Sequence, residues 1–231
     1  MYKKFKHRSN NQFVEVTFFI AFAVLFMTYL ATGLKTIYLL WSLAFLIFTV
    51  MSFLRNAYLR NRLFKEFVDS IDVQDRQSIL DLGSNDGFLI IQIANKLSVS
   101  SRTLIIAVED KNQFSNKDFH TNAVNNRVKY RINLVNGDIR NLPYSDKSFD
   151  TITAANSLNS FLSSYKKSDC KKVCSEINRL LGHNGTAYIF NTSYLSKKMA
   201  NEFIKQGNQV FFYDYKFQFL YGMRIFSVVK K

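Results

Sequence analysis

Cysteine, proline and acidic residues are scarce in this 231-residue sequence. The two cysteines, Cys170 and Cys174, stand where helical spacing would set them on one face. Two thiols make neither a four-ligand zinc site nor a disulfide framework. Read as ordinary reduced residues, they fit a reducing compartment, and no metal site is expected. Acids number 17 against 31 lysines and arginines, a formal net charge of +14. That imbalance favours an anionic partner, either nucleic acid or the headgroups of a membrane. The G-x-G-x-x-G fingerprint of dinucleotide binding is missing, which disfavours NAD. Internal repeats and low-complexity linkers are also missing. The single proline, Pro143, fixes one loop.

Phenylalanine is abundant, with 23 copies, many of them in the first 67 residues. After a basic start (Lys3, Lys4, Lys6, Arg8), two runs carry no charge, Thr17–Leu34 and Thr36–Leu54, separated by Lys35. As helices rising about 1.5 Å per residue, each would be roughly 27–29 Å long, close to the hydrocarbon thickness of a bilayer. The pattern predicts a transmembrane hairpin over 1–54, with helices at about 17–34 and 36–54 and a turn at Gly33–Lys35. Arg55, Arg60, Arg62 and Lys65 follow the second run, whereas the turn holds only Lys35. The positive-inside rule then puts both termini and everything downstream in the cytoplasm. A cleaved signal peptide would explain the first run but not the second. Residues 55–76 read as a helical connector, with Leu59, Leu63, Phe64 and Phe67 at helical spacing.

From Gln77 the pattern alternates. Strands are predicted at Ser78–Leu82, Thr103–Val108, Val128–Val135, Phe149–Ala154, Thr186–Phe190, Val210–Tyr215 and Met223–Val229. Helices are predicted at Phe88–Leu97, Tyr165–Leu181 and Leu195–Gln206. Alternation of this kind implies an α/β fold, a Rossmann-like, seven-stranded, mostly parallel sheet with helices on both faces. The last two strands have no helix between them, so at least one should run antiparallel.

Five segments carry candidate chemistry. Asp81-Leu82-Gly83-Ser84-Asn85-Asp86-Gly87 closes the first strand and opens a helix. Glycine there allows a sharp turn and close approach of a ligand, and the helix start offers free amides. Glu109, or its neighbour Asp110, ends the second strand, where a carboxylate can accept ribose hydroxyls. Gly137-Asp138-Ile139-Arg140-Asn141-Leu142-Pro143 follows the third, placing an acid that can accept from an exocyclic amine beside an apolar side chain. Ser148-Phe149-Asp150, with Ala155-Asn156-Ser157 after it, marks the fourth. Glu176-Ile177-Asn178-Arg179-Leu180-Leu181-Gly182-His183-Asn184-Gly185 ends a helix in a glycine turn.

The order and spacing of these segments over 77–231 resemble the class I S-adenosylmethionine-dependent methyltransferases, in particular the quinone-biosynthesis C-methyltransferase group. That family reads D-x-G-x-G-x-G, V-D, G-D-A-x-x-L-P-F, S-F-D and E-x-x-R-V-L-x-P-G-G. This chain has DLGSNDG, VED, GDIRNLPY, SFD and EINRLLGHNG. Asn85 replaces the middle glycine, and Asn tolerates a left-handed backbone better than most residues. The resemblance implies S-adenosylmethionine as cofactor. Asp81, Gly83, Ser84, Asn85 and Gly87 would surround its methionine moiety, Glu109 would hold its ribose, Asp138 and Ile139 would flank its adenine, and Asn156 would line the site.

Methyl transfer needs a base only where the acceptor must lose a proton. His120 and His183 read as surface residues, so no catalytic residue is assigned. The fourth strand is followed by Ala-Ala-Asn-Ser instead of N/D-P-P-Y/F, which argues against amine methylation on nucleic acid. The expectation is a membrane-anchored methyltransferase acting on a small or lipid-like acceptor, with the bilayer as partner. Two other readings are a tethered nucleic-acid methyltransferase and a non-catalytic membrane protein that keeps the fold.

Overall fold

The computed structural model describes residues 12–31, 36–54, 60–98, 100–109, 117–155, 168–214 and 222–230. The chain divides into two compact units, one running from Phe64 to Lys231 and a smaller one ending at Leu63.

In the smaller unit, α1 (Gln12–Ala31) and α2 (Thr36–Leu54) form a helical pair. Phe18, early in α1, meets Phe48, late in α2, with ring centroids 4.4 Å apart, so the two run antiparallel. Their hydroxyls turn back onto their own helices: Thr28 donates to the Leu25 carbonyl, Ser42 to Leu39 and Thr49 to Phe45. Most of the large apolar side chains stay uncovered, among them Met27 at 67% and Leu40 at 66% exposed. The transmembrane character expected of this hairpin is not met within the described residues. No helix there is long and apolar enough to cross a membrane.

The connector is helical as α3 (Arg60–Ser70). From Phe64 onward it packs on the larger unit: Phe67 is wholly buried, and its ring lies 5.6 Å from Phe190. Phe64 sits edge-on to both Phe190 (5.0 Å) and Phe88 (5.4 Å).

The larger unit holds one seven-stranded sheet of order β3-β2-β1-β4-β5-β7-β6. Its strands are β1 (Ser78–Leu82), β2 (Leu104–Glu109), β3 (Ile132–Asn136), β4 (Phe149–Ala155), β5 (Leu181–Thr192), β6 (Gln209–Tyr213) and β7 (Met223–Val229). The first five are parallel, and β7 lies antiparallel between β5 and β6. Strands β1 and β2 are buried along almost their whole length, as central strands covered on both faces must be. The helices are α4 (Phe88–Lys96), α5 (Lys117–Asn125), α6 (Ser168–Leu180) and α7 (Ser193–Lys205). The core joins Leu80, Val108 and Ile152 of the sheet to Val173, Ile177 and Phe203 of α6 and α7.

Among the strands, two boundaries differ from expectation by more than two residues. The third strand starts at Ile132 because Lys129–Arg131 form a 3₁₀ turn. Arg131 there donates to the carbonyls of Ala94, Leu97 and Ser98, satisfying the end of α4. The fifth strand begins at Leu181, so the glycine turn expected at 182–185 lies within it as an irregularity. Pairing with β4 slips between Phe149 and Thr151, and Asn184 takes φ 58.

Candidate functional site

Strand order reverses direction between β1 and β4. In an open parallel sheet that reversal leaves a crevice outside the carboxyl ends of the strands, where ligands bind. The segment 83–87 lies there. Its first two amides, of Gly83 and Ser84, both donate to the Val108 carbonyl (2.8 and 3.1 Å), which ties the turn to the end of β2. Gly83 (φ 70), Asn85 (φ 48) and Gly87 (φ 78) are all left-handed, so the backbone reverses within five residues. Asn85 steadies its own conformation by donating from Nδ2 to the Gly83 carbonyl at 3.0 Å. Gly87 is required on a second count. A Cβ there would stand 2.7 Å from the Phe119 ring and 2.9 Å from Ile91. The turn then enters α4, whose first amide, of Phe88, is accepted by Asp86 Oδ1 at 3.2 Å.

Two buried acids adjoin this turn. Glu109, only 2% exposed, accepts the Asn85 amide on Oε2 at 2.5 Å. Asp81, also 2% exposed, accepts from the Thr153 hydroxyl at 2.7 Å. Burial pushes the Asp81 carboxyl up to about 6, against the lowering effect of hydrogen bonds from Thr153 and Ser84. A carboxylate held in so poorly solvated a place gains from an incoming cation. The third acid, Asp138, forms a two-pronged ion pair with Arg140 at 2.7–3.1 Å and also accepts the Arg140 amide at 2.9 Å. The Gly137 amide donates to the Glu109 carbonyl at 3.0 Å, so the ends of β2 and β3 lie together.

The structure thus gathers Asp81, Gly83, Ser84, Asn85, Gly87, Glu109 and Asp138 at the carboxyl ends of three neighbouring strands. It places the Ile139 side chain elsewhere: fully buried in the core cluster with Leu82 and Val108. The apolar face expected for a ring is therefore turned inward. Asn156 and Asp110 lie outside the described residues. His120 and His183 are exposed, and His183 Nε2 sits 2.9 Å from Lys147 Nζ. Both cysteines are buried and free. Among the described residues, no group of His, Cys, Asp and Glu could hold a metal ion.

Several contributors escape sequence reasoning. Thr153 stands opposite Asp81 in the β1–β4 register, a pairing that only the strand order reveals. Asn122, 1% exposed, donates to the Asp86 carbonyl at 2.9 Å and braces the turn from α5. Its signal, an amide in an amphipathic helix, is no different from that of a solvated residue. Phe88, at the mouth of α4, meets Phe64 of the connector.

The residues fit a ligand bearing an ammonium group, vicinal hydroxyls and an aromatic amine: a buried acid of raised pKa, an acid at a strand end beside a glycine turn, and a third acid on the next strand. Residues 74–217 match the family model described as a methyltransferase domain. No curated protein matches the chain. Solved structures similar to it include the YcgJ protein of Bacillus subtilis, at 13% identity and TM-score 0.57, covering 74% of this chain and 99% of that one. The [4+2]-cyclase SpnF is similar at 15% identity and TM-score 0.56, covering 73% and 80%. An S-adenosylmethionine-dependent methyltransferase described as such from Methanococcus maripaludis is similar at 16% identity and TM-score 0.52, covering 79% and 90%. At these identities the structural likeness speaks for the fold alone.

Proposed function

Because the chain belongs to the methyltransferase-domain family, whose methyl donor is S-adenosylmethionine, we propose that it is a membrane-anchored enzyme methylating a small or lipid-like acceptor. The observation that carries the catalytic part is the meeting of two buried acids, Asp81 and Glu109, with the left-handed turn 83–87. Bound S-adenosylmethionine supplies a methyl group on a sulfonium already activated for in-line displacement. The protein's part is then alignment and a preorganised polar setting. Asp81 offers its charge to the methionine end, Glu109 to the ribose, and Asp138 to the adenine amine. The amides opening α4 add a partial positive charge suited to a carboxylate. Asn156 belongs to the same proposal as a lining residue, and Ile139 contributes through its backbone.

The membrane part rests on other grounds. Both uncharged runs of the sequence, 17–34 and 36–54, are bilayer-length. Large apolar side chains of α1 and α2, Phe19, Met27, Leu40 and Trp41 among them, are more than half exposed, and apolar surface of that kind marks an interaction site. Basic residues flank the runs on both outer sides, which favours cytoplasmic termini. An anchored site favours an acceptor that itself resides in the bilayer, such as an isoprenoid or quinone.

The test is calorimetric titration of the detergent-solubilised full chain with S-adenosylmethionine. Saturable binding, weakened at least tenfold by Asp81→Ala or Glu109→Ala, is expected. No binding at millimolar cofactor would abandon the enzymatic reading. Binding that ignores both substitutions would leave the family standing and dismiss the site.

A further inference from the structure

The loop that carries Asp138 is held by a pair of residues two elements away. Arg179, near the end of α6, uses all five of its guanidinium hydrogens. Nε donates to Glu176 Oε2 (2.8 Å). Nη1 donates to the Tyr144 carbonyl (2.8 Å) and to Asp146 Oδ1 (2.7 Å). Nη2 donates to Glu176 Oε1 (2.8 Å) and to the Leu142 carbonyl (3.1 Å). Glu176, 7% exposed, accepts the Leu142 amide at 2.7 Å. Both backbone groups of Leu142 are therefore fixed from α6, and the Lys147 amide closes the far end of the loop on the Arg179 carbonyl at 2.9 Å.

The fixing passes straight to Asp138. The Leu142 side chain, 3% exposed, fills the space beside Gly137, where a Cβ would come within 2.9 Å of it. Asn141 donates its amide to the Asp138 carbonyl at 2.9 Å, closing the turn between them. Movement of Leu142 thus moves the backbone on both sides of the acid.

We propose that Arg179 and Glu176 are positioning residues for recognition of the base: they set the loop 137–146 so that Asp138 accepts from the exocyclic amine of the cofactor's purine. This rests on the reading of Asp138 given above. Neither residue touches the ligand. Lysine cannot replace Arg179, because an ammonium has three donors and no planar fork.

The test compares two ligands that differ only at that amine, S-adenosylhomocysteine and its 6-deamino (purine riboside) analogue, which carries hydrogen in its place and keeps N1 as an acceptor. Binding is measured on the full chain in detergent. The native protein should prefer the adenosyl ligand by roughly ten- to hundredfold, as expected for a hydrogen bond to a charged acceptor. Asp138→Ala should bring the ratio near one. Arg179→Ala and Glu176→Gln should do the same, and Arg179→Lys should not restore it. A merely structural brace would weaken both ligands alike and leave the ratio unchanged. Should Arg179→Ala fail to fold, Glu176→Gln and Arg179→Lys, which keep volume and packing, decide the matter. A native ratio near one overturns the placement of Asp138 and the proposal with it. A native preference that survives in the Glu176 and Arg179 variants overturns the proposal alone.

Discussion

Asp81 works against the fold it belongs to. Its carboxyl is raised to about 6 by burial, from 3.8. Below the unfolded value the carboxyl is neutral in both states and contributes nothing; as pH rises from there through about 6 it opposes folding progressively. Near neutrality the native state therefore carries an unfavourable contribution of about 3 kcal/mol. Asp81→Asn should relieve it. Thermal unfolding at pH 8 is expected to shift upward, while the difference from the native chain closes near pH 4. The same variant should bind S-adenosylmethionine at least tenfold more weakly. An unchanged melting temperature at pH 8 would mean that Asp81 is better solvated than its burial indicates. Such opposition between stability and binding is usual at functional sites. What the sequence shows at this scale is the acids, because each of the three follows an apolar strand run. It does not show the partners that tune them. Thr153 sits 72 positions from Asp81 and reaches it only through the β1–β4 register. The Ile139 side chain, expected beside a ring, faces the core because an apolar residue next to a site is as well served by burial as by a ligand.

At the scale of elements, the alternating pattern after Gln77 foretells the sheet, including its antiparallel end. Strand order and the long β5 are less readable. Order depends on which neighbours pair across the whole domain, and Leu181–Gly185 reads as a turn because two glycines stand in it. Those glycines admit the close approach of β4: a Cβ on Gly185 would lie 3.0 Å from the Asp150 carbonyl oxygen. The connector was legible as a helix, but its task was not. The rings of Phe64 and Phe67 meet Phe190 of β5, and Phe64 also meets Phe88, the first residue after the glycine turn. Helix α3 therefore belongs to the site's support. Phe67→Ala removes a wholly buried ring, at a cost of about 3–5 kcal/mol. For a unit of this size that is a fall of roughly 10 °C in the melting temperature. Phe64 is only half buried, and Phe64→Ala should lower it by less than half as much. Equal effects, read by differential scanning in detergent, would show that α3 is held elsewhere.

On the scale of the whole molecule, the membrane proposed above as partner would be met by charge and by apolar surface for different reasons. The +14 net charge would draw the chain to any anionic surface, and such attraction weakens as salt shortens the Debye length. On the membrane-anchored reading proposed above, the uncovered side chains of α1 and α2 would sit in hydrocarbon, and salt would not weaken that contact. The two can be separated in one experiment. In native membranes, the full chain should resist extraction by high salt and by alkaline carbonate, and yield only to detergent. A chain released by salt alone would be a peripheral, charge-held protein, with the apolar helices covered some other way. Orientation can be read from a cysteine placed between the uncharged runs. Because the two native thiols are buried, Lys35→Cys should be the main site of labelling by an impermeant maleimide added from the non-cytoplasmic side. Labelling only after the membrane is opened would place position 35 in the cytoplasm. The hairpin would then dip into one leaflet instead of crossing both, and a lipid-borne acceptor would have to come from that same leaflet.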